Sequence, residues 1–165
     1  MIDFQTLYER HANDVFRFAF YLCANRSDAE DITSETFVRA WTVQERIELP
    51  TVKSYLFAIA RNYYLQSLRK RSRQRDLAEI EQLAIDPSPG PEVAAEQKME
   101  LNRILTALQE LPEADRSALL LRAQEGLSYL EIARTLGLSE AAVKIKIHRT
   151  RLKLWNIRGF LEAAK

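Results

Sequence analysis

The sequence predicts an all-α protein of two small helical domains, and three observations carry that expectation. Apolar residues recur at three- and four-residue intervals along most of the chain, the spacing of one helix face. Only four glycines and five prolines occur among 165 residues, too few for the turn-rich connections of a β fold. Three of those prolines, Pro87, Pro89 and Pro91, fall beside Gly90 within residues 86–91, where no helix can continue. The break separates a domain at 1–74 from one at 96–165, with an acidic, proline-containing linker at 75–95.

In the first domain, Phe4, Leu7, Tyr8, Val15, Phe16, Phe18, Ala19 and Leu22 trace the apolar face of a helix over residues 4–24. Ser27 is placed to cap a second helix beginning at Asp28, with Glu30 in the first turn, where a negative charge suits the helix dipole. That helix carries Ile32, Phe37, Val38 and Trp41, while Asp31, Glu35 and Arg39 step by four along another, polar face open to a partner. After Pro50 a long helix runs from Thr51 to about Arg73, with Leu56, Ile59, Ala60, Tyr63 and Leu68 as its buried stripe. It ends on the basic run Arg69, Lys70, Arg71 and Arg73. Tyr55, Phe57, Tyr63 and Tyr64 interleave with Lys53, Arg61 and Asn62. Rings that stack on bases beside cations that meet phosphates suit single-stranded nucleic acid. Helical spacing alone accounts for at least half of the rings as core.

The second domain carries the sharper pattern. A helix closes at Leu111-Pro112, and another runs from Glu113 to about Gln124, with Leu119, Leu120 and Leu121 inside and Gly126 closing it. Ser128 and Glu131 form a capping box for a short helix holding Ile132, Ala133 and Leu136. Gly137 permits a left-handed turn, and Ser139 caps a last helix from Glu140 to about Asn156. This is the pattern of a helix-turn-helix, whose second helix enters the DNA major groove. At 3.6 residues per turn, Val143, Ile147, Thr150 and Leu154 form its inner stripe. Lys144, Lys146, His148, Arg149, Arg151 and Lys153 spread over the rest, and Ile145 and Leu152 point outward. Those two suit either thymine methyl groups or, by slight preference, an apolar patch that another protein buries.

The net charge of +1 hides a segregation. Residues 43–75 carry eight basic residues against two acidic ones, residues 76–102 one against seven, and residues 143–165 seven against one. Two separated basic surfaces point to a polyanion touched at two places. Cys23 is the only cysteine and His11 and His148 the only histidines. No disulfide can form within the chain and no cysteine-based metal cage is available, so neither metal nor cofactor is expected. No phosphate loop and no nucleophile paired with a base stands out, which argues against an enzyme. The first residues lack a basic segment followed by an apolar one, and no apolar run is long enough to span a bilayer. A cytoplasmic protein is expected.

Three segments in order resemble the extracytoplasmic-function (ECF) sigma factors. Residues 28–41, with Asp31, Glu35, Phe37 and Trp41, resemble the region-two helix that docks on RNA polymerase. Residues 55–62, with Arg61 and Asn62, followed by Arg69, Lys70 and Arg71, resemble the promoter-melting helix. Residues 125–133, then Val143, Lys144, His148 and Arg149, resemble region four. The resemblance implies that Asp31, Glu35 and Phe37 meet the clamp helices of the polymerase largest subunit, with the flap region as a further contact. It implies that the loop at about 42–53, with Lys53, Arg61, Asn62, Arg69, Lys70 and Arg71, opens the minus-ten element and holds a flipped base. Ser139, Lys144, Lys146, His148, Arg149 and Arg151 would meet the minus-thirty-five duplex, Arg149 either reading a base or gripping the backbone. The acidic linker would thread near the RNA path. Control by an anti-sigma factor is implied too, with Ile145 and Leu152 as its contact and the inner membrane as a site of tethering through it. Gln66, Ile145 and Lys146 depart from the residues common there, so promoter sequence does not transfer. The competing expectation is a helix-turn-helix regulator with a sensing N-terminal domain.

Overall fold

The computed structural model describes residues 3–43, 52–75 and 95–155. Seven helices run through them: α1 (Phe4–Cys23), α2 (Arg26–Thr42), α3 (Val52–Arg75), α4 (Ala95–Gln109), α5 (Glu113–Ala123), α6 (Tyr129–Leu136) and α7 (Glu140–Lys153). No extended strand occurs among the described residues. Residues 76–94 of the expected linker at 75–95, and most of the expected base-holding loop at 42–53, lie outside them, while Arg75 and Ala95 are helical.

Asp3 starts α1 by accepting the Thr6 N–H at 2.8 Å. The helix ends on Ala24, which takes a left-handed conformation at φ 56°. That single residue turns the chain back, so α2 begins at once. Its cap is Asn25, whose side chain accepts the Asp28 N–H at 2.9 Å. The expected cap, Ser27, instead lies in the first turn. Asn25, directly after the reversal, is extended and already supplies the cap, and asparagine caps as well as serine.

Helices α1–α3 pack around Val15, Phe18, Ala19, Leu22, Ile32, Ala40, Leu56 and Ala60, with Phe18 and Phe57 edge to face at 5.1 Å. On α3 the fully covered rings are Phe57 and Tyr64, while Ile59, Tyr63 and Leu68 are only partly buried. The expected stripe is rotated because α3 meets α1 and α2 on one side and α6 on another.

In the second half α5 is the central rod, and every residue from Asp115 to Leu121 on it is buried. The capping box forms at α6: Ser128 accepts the Glu131 N–H and Glu131 accepts the Ser128 N–H, each at 3.1 Å. Gly137 follows at φ 68°, where a Cβ would strain the backbone. Ser139 accepts the Ala142 N–H at 3.1 Å and starts α7. Val143, Ile147, Thr150 and Leu154 are all buried, as their spacing requires.

The two halves are packed on each other. Their buried residues form one continuous cluster, with α1 on α5 and α3 on α6. The Leu22 carbonyl, one of the four that α1 cannot satisfy internally, accepts from Arg116 Nη1 at 2.6 Å and from Gln109 Nε2 at 2.9 Å. Arg116 also reaches the Tyr64 hydroxyl at 3.3 Å. A helix end in one half is therefore finished by side chains of the other.

Candidate nucleic-acid interface

The polar side chains of α3 expected to meet DNA divide into two groups. Asn62, Arg69 and Lys70 are exposed, and Arg71 pairs with Asp28 at 2.6 Å. Arg61 and Lys53 are held by the second half of the chain. Arg61 forms a two-pronged pair with Glu113, Nε to Oε1 at 2.6 Å and Nη2 to Oε2 at 2.9 Å, with both side chains mostly buried. Ser117 also donates to Glu113, at 2.7 Å. Burial would raise the Glu113 pKa, but the hydrogen bonds from Arg61 and Ser117 together outweigh it and hold the carboxyl below the ordinary range.

Lys53 donates to the Glu125 backbone carbonyl at 3.1 Å and lies 3.9 Å from its carboxylate. Arg17 forks the same carboxylate through Nε and Nη2, both at 2.9 Å, and pairs with Asp14 at 2.8 Å. The Glu125 side chain has no solvent contact. Burial pushes its pKa up, and the Arg17 fork offsets this only in part. Glu113 and Glu125 thus act as clasps between the halves.

On α7 the outward face carries Lys144, Ile145, His148 and Leu152, with Ile145 63% exposed. Lys144 lies over the Tyr129 ring at 5.6 Å. Ser139 is spent on its cap and Arg151 is half-buried. Lys146 and Arg149 both turn back to Asp115 on α5, whose side chain is 0% exposed. Sequence reasoning did not single out Asp115, Glu113 or Glu125 as partners of these cations.

On α2, Asp31 is exposed and accepts from the Tyr63 hydroxyl at 2.8 Å, which raises the tyrosine pKa. Glu35 is partly exposed and pairs with Arg39 at 3.1 Å. Arg39 in turn donates to Gln66 at 3.2 Å, giving that residue a role on this face. Phe37 departs from its expected place on the contact surface. It is 1% exposed and packs edge-on to Tyr8 at 5.0 Å, because it falls on the face of α2 turned to α1. The exposed apolar groups of this helix are Val38 and Trp41.

Among the described residues, no three His, Cys, Asp or Glu side chains converge as metal ligands would, and no helix is long and apolar enough to cross a membrane. Burial pushes the Cys23 thiol up to about 11, so at neutral pH it is not a thiolate nucleophile.

Two family models match the chain. Residues 7–74 match the family model for Sigma-70 region 2, and residues 101–154 match that for Sigma-70, region 4. The ECF RNA polymerase sigma factor SigM of Bacillus subtilis is 31% identical over 154 residues, covering 90% of this chain and 90% of its own length. The ECF RNA polymerase sigma factor SigE of Mycolicibacterium smegmatis is 36% identical over 156 residues, 93% of this chain but 61% of that relative. Among solved structures, the sigma factor RpoE in complex with the anti-sigma factor NepR from Bartonella quintana superposes with a TM-score of 0.76 at 28% identity, covering 94% of this chain and 96% of that one. CnrH in complex with the cytosolic domain of CnrY gives 0.64 at 26% identity, covering 93% and 85%.

Proposed function

The chain belongs to the ECF sigma factors of RNA polymerase, and from that premise we propose that it binds core polymerase and directs initiation at specific promoters, as a non-enzymatic DNA-binding subunit. The observation that carries this is the ordered pair of matches, region 2 over 7–74 and region 4 over 101–154. It weighs against the helix-turn-helix regulator, whose N-terminal half would be a sensing domain.

Asp31 and Glu35, flanked by the exposed Val38 and Trp41, form the polymerase-facing surface in this reading. Asn62, Arg69 and Lys70 are available to the minus-ten strand as they stand, whereas Arg61 and Lys53 reach it only after leaving Glu113 and Glu125. Engagement with a promoter therefore requires the two halves to part. Lys144, Ile145 and His148 face the minus-thirty-five groove. Control by an anti-sigma factor, cytosolic or anchored at the inner membrane, is supported by the likeness to RpoE, whose solved structure holds one. Ile145 and Leu152 are the apolar contact we assign to it.

Run-off transcription with purified core polymerase on genomic fragments tests the reading. We expect discrete starts that depend on this chain. Replacing Asp31 and Glu35 together by Ala is expected to weaken core binding about tenfold or more, the scale of losing two charged interface contacts, with unchanged helicity. Absence of chain-dependent starts refutes the function, and unchanged core affinity refutes the docking face.

A further inference from the structure

Arg149 and Lys146 are basic residues of the recognition helix, but neither side chain is free. Arg149 donates to Asp115 through Nε to Oδ2 at 3.2 Å and through Nη2 to Oδ1 at 2.9 Å and Oδ2 at 2.8 Å. Lys146 Nζ donates to Oδ1 at 3.2 Å. One fully buried carboxylate thus fixes two cations from a neighbouring helix. Burying a charge is costly unless it is paired and hydrogen-bonded, and here both oxygens are engaged.

The pairing selects which edge of Arg149 remains. Nε and Nη2 are turned to Asp115, so Nη1 leads outward from a side chain that is still 49% exposed. Ile145 and Leu152 lie at the middle of the outward face of α7, with His148 and Arg149 about equally far to either side of it. What sets Arg149 apart is that Asp115 holds it to the side nearest α5. An arginine held at that side meets the rim of a groove, where the phosphates run.

We propose that Asp115 is a positioning residue for promoter recognition, which locks Arg149 as a preset phosphate clamp at the edge of the minus-thirty-five groove and leaves base discrimination to Lys144, Ile145 and His148. This rests on α7 being the duplex-reading helix of a sigma factor. A preset guanidinium loses no rotamer freedom when DNA arrives, so its contact is realised at little entropic cost. Phosphate contacts fix register without carrying sequence information.

The test uses holoenzyme reconstituted with the full-length chain and the promoter fragment with the strongest mapped start, alongside duplexes mismatched singly through the upstream element. Asp115→Asn, Arg149→Ala and the double variant are compared, with thermal unfolding of each. We expect either single change to weaken promoter binding about tenfold, the scale of one charge-assisted hydrogen bond. The double variant should be no weaker than Arg149→Ala, mismatch ratios should stay as in the wild type, and the magnitude of the salt slope should fall by about 1. A purely structural Asp115 would lower the unfolding temperature and add its loss to that of Arg149→Ala. Additive losses, altered mismatch ratios, or wild-type affinity in both single variants each overturn the proposal while leaving initiation intact. A wild-type holoenzyme that never initiates overturns the functional reading, and this proposal with it.

Discussion

Each basic helix holds two of its cations against carboxylates of another element, but those carboxylates come from different places. On α3, Arg61 is paired with Glu113 and Lys53 with Glu125, both in the other half of the chain, while Lys53 also lies 3.7 Å from Asp14 in its own half. On α7, Lys146 and Arg149 are paired with Asp115, which belongs to the same half. Separating the halves breaks the first set and leaves the second whole. The same interaction, an acid holding a base, therefore restrains one surface and prepares the other. Removing the acid should have opposite consequences for DNA engagement on the two helices.

The largest effect is expected at Glu113. Glu113→Gln leaves the mostly buried Arg61 without its charged partner, a loss of about 3 kcal/mol in unfolding free energy on the scale of broken buried pairs. Part of that loss loosens the contact between the halves, so association with core polymerase should become tighter even as the isolated chain becomes less stable. Chemical denaturation and a core-binding titration on the same variant check both signs. Reduced stability with weakened or unchanged core binding would show that the clasp does not restrain function.

Glu125 sharpens the comparison because it sits in the same interface with a different balance. Its carboxylate is fully buried, and burial already raises its pKa. Arg17 is 42% exposed and has Asp14 as a second partner. Glu125→Gln keeps an acceptor for Arg17 and relieves the buried charge. Its effect on stability should stay within about 1 kcal/mol after solvent screening of Arg17 is allowed for. A loss as large as that at Glu113 would mean that net charge alone, rather than its burial, governs the clasp.

The parts of this arrangement that depend on local rules were legible in the sequence. The capping box at Ser128 and Glu131, the left-handed Gly137, the Ser139 cap and the buried stripe of α7 each follow from residues within a few positions of one another. So does the outward exposure of Ile145 and Leu152. Phe37 was put on the contact surface by the resemblance, although spacing already grouped it with the apolar Ile32 rather than with Asp31 and Glu35. The clasps were illegible for a stronger reason. Arg61 and Glu113 are 52 positions apart, and nothing local says that α3 and α5 meet. Asp115 left one faint signal: an acid beside Arg116 at the head of the apolar run 118–121, on a helix with no polar face to spare. A charge there must find a partner inside the protein.

The smallest effect is the one pH reveals. Glu113 has a folded pKa below the ordinary glutamate value of 4.5. Its contribution to stability is present above 4.5 and is lost as pH falls through that lower folded value. Glu125 has a folded pKa above 4.5, so its contribution is complete below 4.5 and is lost as pH rises through the higher folded value. Around Glu113 the facing groups are Arg61, Ser117 and Arg116. The stability gap between wild type and Glu113→Gln should therefore be widest near neutrality and should close as pH drops below about 4.5, because a protonated glutamate pairs no better with Arg61 than glutamine does. The gap for Glu125→Gln should run the other way, with the variant relatively more stable at neutral pH than in acid. Denaturant midpoints at half-unit intervals from pH 3 to pH 7 resolve the two slopes. A Glu113 gap that stays constant across that span would show that packing, and not ionic pairing, holds α3 to α5.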